Sequence, residues 1–167
     1  MDRLKSLFFY AALLAGLALG LRWVLVSLGS PEDKIRWRLE QMAEGFNETR
    51  LAPVLAGLED DYRDAGSGRG RDDVADALRW LFLHEDSPAG FLLRVEIPET
   101  ELGLVLDPEG DAADVRGRAR FYRREQDQGG ETLWWDARFV ARFEDGEDGW
   151  QIVRTAEVNH AERGGLR

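Results

Sequence analysis

The residues in this 167-residue chain with the means to do chemistry are an acidic cluster, a single strand arginine, a row of four more arginines and two separated histidines. Asp60, Asp61 and Asp64 surround Tyr62. A carboxyl among them that is buried would have a raised pKa and could act as a general base. In water, the same residues are only an acidic turn at a helix end. Arg154 falls, by strict alternation, on an inner strand face between Ile152 and Ala156. A buried guanidinium there must pair with an acid such as Asp64 or await an anionic ligand. A bulged strand would simply expose it. Tyr62, Trp80, Trp135 and Phe139 are candidate walls of an apolar pocket, with plain core packing as the alternative. Arg116, Arg118, Arg120 and Arg124 form a row that suits an anionic surface, or an outer sheet face laced with ion pairs to residues such as Asp136.

Other chemistries have little to work with. The chain has no cysteine, so it has no disulfide, thiol nucleophile or thiolate metal site. His84 stands in a polar turn beside Glu85 and Asp86, and His160 lies near the C-terminus. They lack a paired spacing, so neither a metal nor a cofactor is expected. The glycine-rich stretch 66–70 lacks the Lys-Ser/Thr ending of a phosphate loop. Net charge is −10; residues 1–30 carry Asp2 against Arg3, Lys5 and Arg22, a net +2, which leaves −12 on the remainder. A domain that acidic repels nucleic-acid phosphates, so no nucleic-acid partner is expected.

The elements that must position these residues are helices followed by strands. Ser30 as N-cap, Pro31, Glu32 and Asp33 open a helix predicted to run to about Phe46, with Ile35, Leu39, Met42 and Phe46 on one face. After Asn47–Thr49, a second helix presents Leu51, Val54, Leu55 and Leu58, and the acidic cluster leaves its end. A third opens at 71–73 with Val74, Ala77, Leu78, Leu81 and Phe82 inward, and stops by Pro88. Strands follow over about 91–97, 102–106, 113–124, 132–144 and 150–158. In the longest, Leu133, Trp135, Ala137, Phe139, Ala141 and Phe143 are predicted inward, with Gly117 of the preceding strand beside Phe139. A hairpin is expected over 126–130, and 161–167 reads as a frayed tail. Helices first and then antiparallel strands imply an α+β fold with the three helices on one face of a strongly curved sheet, a cone with a pocket.

Ahead of this domain, residues 7–29 are interrupted by charge only at Arg22 and would make a helix of about 34 Å, enough to cross a bilayer core. Residues 1–30 therefore read as a single-pass transmembrane anchor. The rival is a signal peptide, with Arg3 and Lys5 as its positive region, but no clear cleavage pattern follows. The short positive tail favours an inside N-terminus and an extracytoplasmic, periplasmic domain rather than a cytoplasmic one, although Lys34, Arg36 and Arg38 weigh the other way.

The stretch MAEGFNETRLAPVLAGLEDDYRD and the closing FVARFEDGEDGWQIVR resemble the nuclear transport factor 2-like superfamily over residues 31–160. Ketosteroid isomerases, SnoaL-like cyclases and scytalone dehydratase share this cystatin-like cone. The resemblance places the isomerase base nearest Asp64, with Asp61 as alternate. It sets the oxyanion tyrosine at Met42 and the protonated oxyanion aspartate near Phe139. Neither of those side chains can donate a hydrogen bond to an oxyanion, which counts against steroid-isomerase chemistry. The resemblance also implies a homodimer through the sheet. The resulting expectation is a membrane-anchored, non-catalytic module that binds a small apolar ligand or a protein partner. The alternative is a SnoaL/isomerase-type enzyme with Asp64 as general base on a small carbonyl substrate, held by Arg154 or Tyr62.

Overall fold

The computed structural model describes residues 29–85, 90–124 and 130–161, and in 156–161 the backbone alone. The expected membrane-spanning helix, the tip of the 126–130 hairpin, Pro88 and nearly all of the tail lie outside these residues. Among the described residues, no helix is long and apolar enough to cross a membrane. Contacts divide the chain into a leading unit, Met1–Lys34, and a main unit, Ile35–Arg167. In the leading unit, Ser30 Oγ accepts the Asp33 backbone N–H at 3.2 Å, and Ser30 N–H donates to the Asp33 carboxylate at 3.2 Å. This reciprocal cap starts the first helix.

Three α-helices are described, α1 (Pro31–Asn47), α2 (Leu51–Leu55) and α3 (Arg71–His84), with a single 3-10 turn at Glu99–Glu101. Six strands are described: β1 (Leu58–Asp64), β2 (Leu93–Glu96), β3 (Gly103–Leu106), β4 (Ala112–Arg124), β5 (Glu131–Gly146) and β6 (Gly149–Ala161). They form one sheet in the order β1-β6-β5-β4-β2, with β3 also paired to β4. All pairings are antiparallel except β1 with β6, so the sheet is mixed. The fold is α+β, as the order of elements predicts.

The apolar stripe of α1 is buried where the spacing places it, with Ile35, Leu39 and Phe46 nearly inaccessible. Two clusters make the core of the main unit. One joins Ile35 and Leu39 to Leu58, Tyr62, Val115, Phe143, Trp150 and Ile152. The other gathers Phe46, Val54, Leu93 and Val95 under α3 residues Leu78, Leu81 and Phe82. Phe46 makes edge-on contacts with Phe82, Phe91 and Phe121 at ring-centroid distances of 5.7, 5.6 and 5.7 Å. Met42 packs against both clusters. It occupies the space a side chain on Gly57 would need: a Cβ there would lie 2.2 Å from the Met42 sulfur. Gly117 does stand opposite Phe139, and a Cβ on it would come within 2.7 Å of that ring and of Leu102.

Asn47 has a role its sequence context did not suggest. Its amide donates to Val95 O at 3.0 Å and accepts from Val95 N–H at 2.7 Å. It therefore satisfies both backbone groups of a strand at the end of the sheet order, where they would otherwise lack partners.

The structure corrects five expectations. On α3, Ala77 is exposed and Ala75 is the buried alanine. The second helix ends at Leu55, and Leu58 begins a strand instead of completing a helical stripe. The apolar pair Leu58 and Tyr62 fits both periods, and an irregular register between Leu58 and Arg63 leaves Asp60 and Asp61 exposed on that strand. Arg154 is exposed, not inward: Val153 and Ala156 are extra residues in β6 opposite β5, and the first turns Arg154 to the side of Arg142. Leu133 is 49% exposed because Trp134 is an extra residue between the Phe121–Trp135 and Tyr122–Leu133 pairs. Trp80, expected at a pocket wall, is 58% exposed on α3 and stacks on His84 at 4.3 Å.

Candidate functional site

Asp64 ends β1, and the turn after it folds back on its carboxylate. One oxygen accepts the Ser67 backbone N–H and hydroxyl, each at 2.7 Å. The other accepts the Thr155 hydroxyl from β6 at 2.6 Å. Thr155 spends its proton on Asp64, so Tyr62 O–H donates to the Thr155 oxygen at 2.8 Å. The bond from Thr155, followed by that from Ser67, holds the Asp64 carboxyl below the usual aspartate range. Burial pushes the Tyr62 phenol up. The chain Tyr62–Thr155–Asp64 thus ends on a carboxylate stabilised in its ionised form. An effective general base has a pKa near the working pH, and Asp64 is displaced in the opposite direction.

The expected partnership of Asp64 and Arg154 does not form. Asp64 stands opposite Thr155 in the parallel pairing, while Arg63 stands opposite Arg154. Asp64 and Tyr62 bond to Thr155, whereas Arg154 points to the outer sheet face. The four aromatic candidates are likewise dispersed. Tyr62 is in the core, Phe139 packs against it, Trp135 stacks on Phe121 at 4.9 Å, and Trp80 is on the outside of α3.

Two grooves open on the outer face of the sheet. The larger, of about 790 Å³, runs over β6 and β5 and includes Asp61, Arg63, Arg142 and Arg154. It lies where the Val153 bulge disturbs the pairing. Arg142 is pinned there by Asp107, with Asp114 at 3.4 Å, and these contacts keep its guanidinium pKa above the ordinary arginine value. The smaller, of about 420 Å³, lies over β4 and β5 and is lined by Arg116, Arg118 and Arg138 together with Phe139 and Gly117. Two members of the arginine row are ion-paired, Arg118 to Glu101 and Asp136 at 3.7 and 3.6 Å and Arg120 to Glu101; outside the row, Arg123 pairs with Glu85 at 2.8 Å. Among the described residues, no group of three His, Cys, Asp or Glu side chains could hold a metal ion. Sequence reasoning missed Arg63, Arg138 and Thr155 as site residues. The alternating arginines of β4 and β5 were the signal for Arg138; nothing local marked Thr155.

No protein-family profile matches the chain, and no curated protein matches it either. Solved structures do. A function-unknown protein from Mycobacterium tuberculosis superposes with a TM-score of 0.61 at 14% identity, covering 78% of this chain and 76% of that one. A nuclear transport factor 2-like superfamily protein from Salmonella enterica gives 0.58 at 12% identity, with coverages of 81% and 94%. A protein of the same kind with a cystatin-like fold, from Novosphingobium aromaticivorans, gives 0.59 at 17% identity, with coverages of 86% and 87%. The chain therefore has the nuclear transport factor 2-like, cystatin-like fold. At these identities the likeness extends to the fold alone, and this fold hosts many activities.

Proposed function

We propose that this chain is a membrane-tethered nuclear transport factor 2-like module that binds rather than catalyses. Residues 1–30 are its single-pass anchor, and the domain over 31–160 is displayed on the extracytoplasmic side. The observation that carries the non-catalytic reading is the state of Asp64: three hydrogen bonds hold it ionised, and the core cluster that contains its neighbour Tyr62 is packed by Met42 and Phe139. An enzyme of the isomerase type would need that carboxylate freed from Thr155 and Ser67 before it could take a proton from carbon. The larger groove on the outer sheet face makes a protein partner, a second copy of the chain included, a better occupant than an apolar ligand within the fold.

The tether is tested by cell fractionation with protease accessibility. The full chain is expected to stay in the membrane pellet through an alkaline carbonate wash. Protease added outside the inner membrane should cleave the domain. Release by the wash would remove the anchor from the account, and cleavage only after lysis would reverse its orientation.

A further inference from the structure

The smaller groove has a charge balance unlike the rest of the domain. Arg116, Arg118 and Arg138 line it with Glu101 as the one lining carboxylate and Asp136 beside Arg118, a surplus of positive charge in a chain of net charge −10. In the larger groove three arginines face five carboxylates, so an anion would be repelled there.

Register explains how the positive charge is concentrated. Arg118 on β4 stands directly opposite Arg138 on β5, and Arg116 stands opposite Val140, one outer-face position away. Like charges directly opposed across strands destabilise a sheet unless something neutralises them. Arg118 is neutralised by Glu101 and Asp136. Among the described residues, Arg116 and Arg138 have no carboxylate within ion-pair distance, and both are exposed. Space is left beside them as well. Gly103 of β3 is paired with Arg116, and a Cβ on Gly103 would meet nothing within 4 Å.

We propose that this groove is an oxyanion site for a phosphate group, gripped between the guanidinium groups of Arg116 and Arg138. Arg118, neutralised by its two carboxylates, separates the pair from further repulsion and leaves the free positive charge on Arg116 and Arg138. Guanidinium forks match the oxygens of phosphate, and two of them neutralise a dianion. The inference stands apart from the tether and from the question of catalysis, because it needs only the register of β3, β4 and β5. A soluble phosphate and the phosphate of a lipid headgroup share the required chemistry, and the experiment separates them.

The full chain in non-ionic detergent is titrated calorimetrically with inorganic phosphate, with chloride as control. In parallel, phosphatidylcholine or phosphatidylglycerol is added to the same detergent micelles, and the melting temperature is read. Two altered chains are compared: the double variant Arg116→Ala/Arg138→Ala, and Gly103→Glu, which sets a carboxylate in the open space without removing an arginine. Saturable phosphate binding that weakens by about 10-fold or more in both variants supports a site for a soluble phosphate. A melting temperature raised only by phosphatidylglycerol, with the gain lost in both variants, supports a lipid headgroup. If the wild-type chain and the variants respond alike in both arms, the proposal is overturned.

Discussion

Replacing Phe46 by alanine is expected to destabilise the domain by about 3–5 kcal/mol, the range for removing a large buried aromatic. Phe46 is the residue through which the second core cluster meets itself. Its ring touches Phe82 of α3, Phe91 ahead of β2, and Phe121 of β4. Phe82 and Phe91 also meet each other, at 5.4 Å, so removal would leave several rings facing one cavity. Phe46→Leu should recover part of the loss, because it keeps most of the volume and gives up only the edge-on ring contacts. Chemical denaturation of the two variants checks this. Equal stability of Phe46→Ala and the wild type would show that the cluster does not bear on folding.

Asp64→Ala is expected to lower stability by about 1.5–3 kcal/mol at neutral pH, the range for hydrogen bonds to a charged group. The dependence on pH distinguishes it from ordinary truncation. The folded-state pKa of Asp64 is depressed by the bonds from Thr155 and Ser67. A depressed carboxyl stabilises the folded state above its unfolded pKa, and that stabilisation is lost as pH falls through the folded pKa. The gap between wild type and variant should therefore be full at neutral pH and close under acid conditions, below the ordinary aspartate value of 3.8. Denaturation midpoints over a pH series would show it. A gap that widened on acidification would mean that Asp64 is protonated in the folded state, as a raised pKa would require.

The helices were legible in the sequence because their signals are local. Ser30 and Asp33 cap α1 three residues apart, and the stripes of α1 and α3 repeat at helical spacing. The long antiparallel strands were legible for the same reason, down to Gly117 facing Phe139. What escaped depends on distant partners. The strand β1 is acidic, and its only apolar residues, Leu58 and Tyr62, suit a helix as well as they suit a strand. It is a strand because β6, about 90 residues on, provides a parallel edge for it. The bulges in β6 fall at Val153 and Ala156, with no glycine or proline to announce them. They move Arg154 from the predicted inner face to the outer one, and with it the supposed partner of Asp64. The actual partner, Thr155, is 91 residues away in sequence. The candidate site was therefore visible as a set of residue types, but its pairings were not.

Native mass spectrometry of the full chain, released from detergent and compared before and after denaturation, tests the central claim most directly. A module whose interior is filled by its own side chains, and which works from the outer face of its sheet, should carry no small apolar molecule through purification. The native mass should equal one chain, or an integral number of chains. A co-purified apolar molecule that is lost when the interior is altered by Gly57→Val, which crowds Met42, would contradict the account. It would place a ligand cavity inside the fold.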